Sequence, residues 1–195
     1  MSDVLVAAPL RLEAALIASA STRAFVRKTG MGPARAKAAA VALQGDGARA
    51  LVVLGFCGGL DEGSVPGEVI VPEELCAAAD EGHTEAPVRC ELAPQLVRHL
   101  AGRGLKLRSG TIVCVSRLAL GRRREQLRAG GAIGVDMESL WLAAGAAGRP
   151  FGVARVVLDA PSHELLRPGA AGGALRAARA LRQVAGALHD WAPGV

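Results

Sequence analysis

The stretch AIGVDMESLWLAAGAAG, from Ala132 to Gly148, carries two acids, Asp136 and Glu138, in otherwise apolar surroundings. Its start reads as a short buried strand and SLWLAAGAA as a small-residue helix, so the acids stand where a strand hands over to a helix. Unpaired amides and the dipole of a helix start favour a charged carboxylate there. Both oxygens of an ionised carboxylate accept hydrogen bonds, so Glu138 can hold two neighbouring sugar hydroxyls. Asp136 as an ordinary N-cap and Glu138 as a first-turn acid explain the same spacing. Asp159, after the apolar run RVVL, is either a turn residue before APSH or a carboxyl shielded by Val156, Val157 and Leu158. Shielding of that kind would hold it neutral and let it donate a proton. The glycines of GFCGGL lack the spacing of a dinucleotide fingerprint or a Walker loop. They let backbone approach a flat ligand, or they simply end a strand with a turn.

The elements that must position these residues alternate between strand and helix. VLVAAP is an apolar strand, followed by a helix from about Arg11 to Ser19. AFVRKTG forms a strand, and MGPARAKAAAVAL a helix with Pro33 in its first turn. ALVVLGF has the continuous apolar character of a strand covered on both faces, and EVIVPEEL returns as another strand. APQLVRHLAGRG is a helix with a glycine stop, SGTIVCVSR a strand, GRRREQLRAG a polar exposed helix and FGVARVVLD a strand ending on Asp159. The last helix places Leu175, Ala178, Leu181, Val184, Leu188 and Trp191 on one face. This order predicts an α/β fold of three layers, αβα, with a central mixed, largely parallel sheet, in a single domain spanning residues 1–195. Ligands of such folds collect at the carboxyl ends of the strands. Glu13, the GFCGG glycines, the DMES acids and Asp159 all lie just beyond predicted strands.

Composition narrows the function classes. Half the residues are apolar, tyrosine is absent, and there are only 3 Phe and 2 Trp, so Ala, Val and Leu must build the core. Arg11 and Glu13 interrupt the one early apolar run, which excludes a spanning segment there. ALIASAS imitates a signal-peptide cleavage region, but no positive segment precedes it, and it reads as helix. The net charge of +5 is carried by arginines spread along the chain. Their densest cluster, Arg122–Arg123–Arg124, has no interleaved aromatics for base stacking and reads as a solvated helix face, not a nucleic-acid site. Cys57, Cys76, Cys90 and Cys114 have no paired spacing for zinc or a redox dithiol and read as reduced thiols of a cytoplasmic protein. His83 and His163 fit no metal-ligand pattern, and no metal is expected.

Three segments in this order, LGFCGGLDEGSVPGEVIVP, GVDMES and RVVLD, resemble the purine and uridine nucleoside phosphorylase superfamily, which includes methylthioadenosine/S-adenosylhomocysteine nucleosidases and futalosine hydrolases. TGMGPARAKAAA and VDMES are most similar to its hopanoid-associated phosphorylase branch, associated with removing adenine from adenosylhopane. The resemblance covers nearly the whole chain. It implies that Glu138 binds the ribose hydroxyls, that Met137 packs against the sugar with Asp136 in support, and that Gly58 and Cys57 lie against the base. It places proton donation to purine N7 on Asp159 and activation of water on Glu13. It also implies a homo-oligomer, no cofactor, and a purine nucleoside with water or phosphate as co-substrate. A lipid-bearing substrate would add transient membrane contact.

The chain departs from the family at Val53 and Phe56, which stand where phosphorylases commonly carry an arginine and a serine for phosphate. Arg11, in APLRLE, resembles an early phosphate-binding arginine of some phosphorylases. The aromatic that often stacks on adenine is missing from VCVSRLALG, leaving Leu118 or Leu120 to replace it. The expected reaction is cleavage of the N-glycosidic bond of an adenosine-like nucleoside modified at its 5′ position, with hydrolysis favoured over phosphorolysis. A non-catalytic nucleoside-binding protein of the same fold is the alternative of another class.

Overall fold

The computed structural model describes residues 3–21, 25–82, 85–162 and 170–194. His83 and His163 lie outside them. The centre of the sheet is built from three apolar strands: β1 (Val4–Ala8), β3 (Ala50–Gly59) and β10 (Phe151–Asp159). β1 is buried throughout, and Leu51–Leu54 and Val153–Val157 are equally inaccessible. Only Val, Leu and Ala runs without alternation suit strands covered on both faces. β3 runs parallel to β1 and to β10. Past Cys57 it also pairs antiparallel with β9 (Gly134–Asp136), through Gly58↔Val135 and Gly59↔Gly134. β2 (Phe25–Lys28) extends the sheet beyond β1 in parallel.

Two wings complete the sheet. On one side, β8 (Thr111–Cys114) joins β9 in parallel, β5 (Glu74–Ala77) joins β8 in parallel, and β6 (Val88–Arg89) closes the edge antiparallel. On the other, β4 (Val69–Ile70) pairs antiparallel with β10, and β7 (Leu107–Arg108) lies parallel to β4. The single strand expected for EVIVPEEL is therefore two strands in different wings. Pro72 between them has no N–H for a ladder and marks the break.

Helices flank this sheet in two groups. α1 (Arg11–Ala18) and α3 (Ala93–Leu100) pack on α6 (Ala170–His189), which lies on β3 and β10. α2 (Pro33–Gln44) packs on α5 (Ser139–Leu142) and the 3₁₀ turn Ala143–Ala146 that continues it. α4 (Arg122–Ala129) leads into β9. The buried face of α6 runs through Ala177, Leu181, Val184 and Leu188, while Leu175 is 53% exposed. Leu175 is thus misplaced by the sequence reading: it lies half a turn round the helix from Val184. No helix among the described residues is long and apolar enough to cross a membrane.

One arginine ties off the α2 layer. Arg149 donates to the carbonyls of Leu43 (2.8 Å), Asp46 (2.9 Å), Ala48 (3.2 Å), Gly145 (2.7 Å) and Ala146 (2.8 Å). These include carbonyls that the ends of α2 and of the 3₁₀ turn leave without intrahelical donors. Arg149→Met is expected to lower stability by about 2–3 kcal/mol, since hydrogen bonds to a charged group are stronger than neutral ones. Urea unfolding would read this as a lower midpoint at unchanged slope. Arg149→Lys should recover only part of it, because an ammonium cannot reach so many carbonyls from one plane.

Candidate active site

The carboxyl ends of β1, β3, β9 and β10 converge, and the site is assembled where they meet. Its centre is Arg155, in the middle of β10 and fully buried. A charge in a run as apolar as FGVARVVLD needs partners inside the protein. Nη2 of Arg155 lies 2.7 Å from Asp136 Oδ2 and 3.3 Å from Glu138 Oε2, and Nε donates to Ser139 Oγ at 3.0 Å. Nη1 donates to the Phe56 carbonyl at 3.4 Å. The register sets Arg155 beside Gly55 of β3. A Cβ at Gly55 would sit 2.6 Å from Glu13 Oε1 and 2.7 Å from Arg155 Nη1, so only glycine leaves both groups their space.

Glu13 comes from the first turn of α1. Its Oε2 accepts from the Leu10 N–H at 2.6 Å, which closes that turn, and its Oε1 from the Phe56 N–H at 2.6 Å, which ties α1 to β3. Burial pushes its carboxyl above the ordinary range, opposed by Arg155 and by these two N–H donors. Carboxylate oxygens have further lone pairs, so Glu13 can still accept from a water molecule.

Asp136 ends β9. Its Oδ1 accepts from Cys114 Sγ–H at 2.8 Å and from the Glu138 N–H at 3.2 Å, and its Oδ2 accepts from the Ser139 hydroxyl as well as from Arg155. Asp136 thus caps the turn that starts α5, and it also lines the pocket. Glu138 is different. Its Oε1 accepts from the Gly32 N–H at 3.0 Å, at the start of α2, where φ is +89° and favours glycine. Burial pushes Glu138 up to about 7, with Arg155 opposing the rise and Asp136 adding to it. Arg155 is held protonated: burial disfavours its charge, but Asp136, Glu138 and Glu13 outweigh that.

Asp159 stands at the other end of the site, at the close of β10. The expected apolar shield is only half present. Val156 and Val157 are buried, but the carboxylate faces Arg124, whose Nη2 lies 2.6 Å from Asp159 Oδ2. An opposite charge this close favours the carboxylate over a neutral acid. Arg124 was expected on a solvated face, yet it is 2% exposed. Its Nε donates to the Ala119 carbonyl at 2.9 Å. The signal was available in the helix period, because Leu127 is buried one turn later on the same face as Arg124.

Between the two ends lies a pocket walled by Glu13, Cys57, Gly58, Asp136, Met137, Glu138, Arg124 and Asp159, with Leu10, Met31, Val115 and Leu118 among its apolar walls. Cys57 is a neutral thiol, pushed far upward by burial. Of the two leucines expected to replace the missing aromatic, Leu118 lines the pocket and Leu120 does not. Arg11 does not line it either. It is exposed, because residues two apart on a helix point in nearly opposite directions, and Glu13 takes the inward one.

The family model described as the phosphorylase superfamily matches residues 11–185, and the chain belongs to that superfamily. No curated protein matches the chain at the sequence level. Solved structures share its fold. The 5′-methylthioadenosine/S-adenosylhomocysteine nucleosidase of Helicobacter pylori, bound to butyl-thio-DADMe-Immucillin-A, superposes with a TM-score of 0.78 at 15% identity over 96% of each chain. The nucleosidase of the same name from Neisseria meningitidis, with methylthio-immucillin-A, gives 0.78 at 18% over 98% of this chain and 100% of its own. The futalosine hydrolase of Helicobacter pylori gives 0.77 at 15% over 96% of this chain and 95% of its own.

Removing Arg155 leaves Glu13, Asp136 and Glu138 without their common counter-charge. Arg155→Met should destabilise the fold by about 3–5 kcal/mol at pH 8, the usual cost of breaking a buried ion pair from one side. The carboxyls of Glu13 and Glu138, already raised by burial, would then titrate still higher in the folded than in the unfolded chain. Stability is present while such groups are protonated and is lost as pH rises through their folded values. The deficit against wild type should therefore shrink toward pH 5. Urea midpoints across pH 5–8 check this, and a deficit independent of pH would assign it to packing.

Proposed function

We propose that the protein hydrolyses the N-glycosidic bond of a purine nucleoside, adenosine-like and modified at its 5′ position. The observation that carries this reading is the pairing of two buried carboxylates, Glu13 and Glu138, around one guanidinium at one end of a pocket whose other end holds Asp159 over the Gly58 backbone. Glu138 accepts from the two ribose hydroxyls, and Met137 floors the sugar. Glu13 takes a proton from the attacking water, for which a carboxyl raised by burial is the better base. Developing positive charge on the sugar falls near Glu138 and Glu13, and developing negative charge on the base falls near Arg124. The printed names of the structural relatives, methylthioadenosine/S-adenosylhomocysteine nucleosidases and a futalosine hydrolase, support the same reaction class.

Water is favoured over phosphate because Arg11 points away from the pocket and Val53 is wholly inaccessible. The 5′ substituent lies toward the open side, where Met31 is 50% and Leu118 68% exposed. A long apolar substituent of the adenosylhopane kind fits this reading, and the reaction belongs in the cytoplasm.

The reaction is tested by incubating the protein with adenosine, 5′-methylthioadenosine and a hydrophobic 5′-substituted adenosine, with and without phosphate. Free ribose products at rates indifferent to phosphate are expected. A strict phosphate requirement with ribose 1-phosphate as product would replace water by phosphate, and Arg11→Ala should then lose activity.

Glu138→Gln should lower turnover by about a hundredfold or more, since an amide accepts from two hydroxyls far less well than a carboxylate. Glu138 must be ionised to hold the ribose, and its carboxyl sits at about 7. For the wild type, kcat/KM is therefore expected to fall as pH drops below about 7. The residual activity of Glu138→Gln should lack that fall, which a pH profile of both proteins would show.

A further inference from the structure

α5 begins at Glu138 without help from that residue's own side chain, which makes no cap bond. The amides at a helix start must then find acceptors elsewhere. Those of Glu138 and Ser139 turn to Asp136 Oδ1, at 3.2 Å and 3.3 Å. The next, on Leu140, donates to Cys114 Sγ at 3.3 Å. The same thiol donates its hydrogen to Asp136 Oδ1 at 2.8 Å, so it ties together the acid and the helix on either side of Glu138. Cys114 reaches both from β8, where the register sets it directly beside Asp136 of β9. It is wholly buried. Burial, with Asp136 beside it, pushes the thiol well above its ordinary value, so the proton it donates is kept.

We propose that Cys114 is a positioning residue for Glu138: its thiol completes the cap of α5 from the neighbouring strand and fixes the backbone from which Glu138 reaches the ribose hydroxyls. This rests on the nucleoside-cleaving reading above and adds to it a residue that touches no substrate. The Glu138 carboxylate is steadied at its tip by the Gly32 N–H at 3.0 Å and by Arg155 at 3.3 Å. Its backbone, at φ −140° and ψ −36°, has left the strand and not yet entered the helix. The bonds of Asp136 and Cys114 hold that junction. A group that grips substrate and is misplaced by about 1 Å loses on the order of a hundredfold in rate, so weak bonds here carry large consequences.

The apolar strand around Cys114 asks only for a small hydrophobe, and valine would fill the place as well. What valine lacks is the pair of bonds. A thiol is at once a weak donor and a weak acceptor, and both capacities are used. Serine keeps a donor and an acceptor on a shorter bond, whereas valine keeps the bulk and loses both. The two replacements therefore separate bonding from packing.

The test compares wild type, Cys114→Val and Cys114→Ser on 5′-methylthioadenosine and on its 2′,3′-dideoxy analogue, which offers Glu138 no hydroxyl. Cys114→Val should lose about 10–10²-fold in kcat/KM on the first, the scale of a misplaced group, while Cys114→Ser stays near wild type. On the analogue all three should agree within about twofold, the scatter of independent effects. In a Glu138→Gln background Cys114→Val should cost nothing further, since nothing remains for it to position. Urea midpoints establish that each variant is folded, and Cys114→Ala takes the place of Cys114→Val if valine is not accepted. Equal losses on both substrates, or full additivity with Glu138→Gln, would overturn the proposal and leave Cys114 a core residue. Wild-type rates in folded Cys114→Val would overturn it too. Amide exchange needs no turnover: the Leu140 amide should exchange faster in Cys114→Val than in wild type or Cys114→Ser. Unchanged protection would overturn the proposal. Failure of the wild type to cleave any nucleoside would instead remove the reading on which it rests, with the exchange comparison still deciding whether Cys114 caps α5.

Discussion

Arg155 stands in the middle of a strand rich in Val, with acids from two separate parts of the chain around it. A buried guanidinium is tolerable only with charged and hydrogen-bonding partners on every side. Asp136 and Ser139 supply them from the β9–α5 junction, Glu138 from the same junction, Glu13 from α1, and the Phe56 carbonyl from β3. Each partner is in turn held by backbone: Glu13 by Leu10 and Phe56, Glu138 by Gly32, Asp136 by Glu138 and Ser139. Burial raises Glu13 and Glu138, Arg155 opposes the rise, and Asp136 adds to it. The interaction that organises the fold around the site therefore also tunes the groups that face the ligand.

The two ends of the pocket are electrostatic opposites in their margins. At the Arg155 end, acids outnumber the cation. At the other end, Arg124 pairs with Asp159. A reaction that separates charge across one bond, positive on the sugar and negative on the base, is favoured by that arrangement in the stated orientation and disfavoured in the reverse.

Much of this was legible in the amino-acid sequence because burial on both faces leaves a plain mark. VLVAA, ALVVLGF and FGVARVVLD read as strands without periodicity arguments, and Glu13, Glu138 and Asp159 were placed by their positions after strand ends. What escaped was of two kinds. EVIVPEEL was read through Pro72 because its apolar character continues, although the ladder cannot. The arginines were read as surface charge because a run of three on a polar helix usually is one; only the partnership of Arg124 with Leu127 on one helical face separates it from Arg122. Arg155 lay inside the motif that carried the family resemblance, yet no spacing rule reveals that a strand arginine turns toward acids distant in sequence. Leu175 failed differently: nine residues before Val184, it lies half a turn round the helix from that buried residue, because repeated steps of three drift off a 3.6-residue period.

β3 pairs with β1 and β10 along its length and with β9 at its end, so Cys57, Asp136, Arg155 and Asp159 hang from this strand or from one hydrogen-bonded to it. No peripheral segment can open to expose the Arg155 cluster while the rest stays folded, because the ladder that would have to break is the one at the centre of the molecule. Amide exchange from Gly55 to Cys57 is thereby tied to the unfolding of the whole domain, and the geometry of the acids is as durable as the fold itself. The Arg155 cluster is set when the chain folds, and Met31 and Leu118 are the exposed apolar side chains among the described residues that line the pocket.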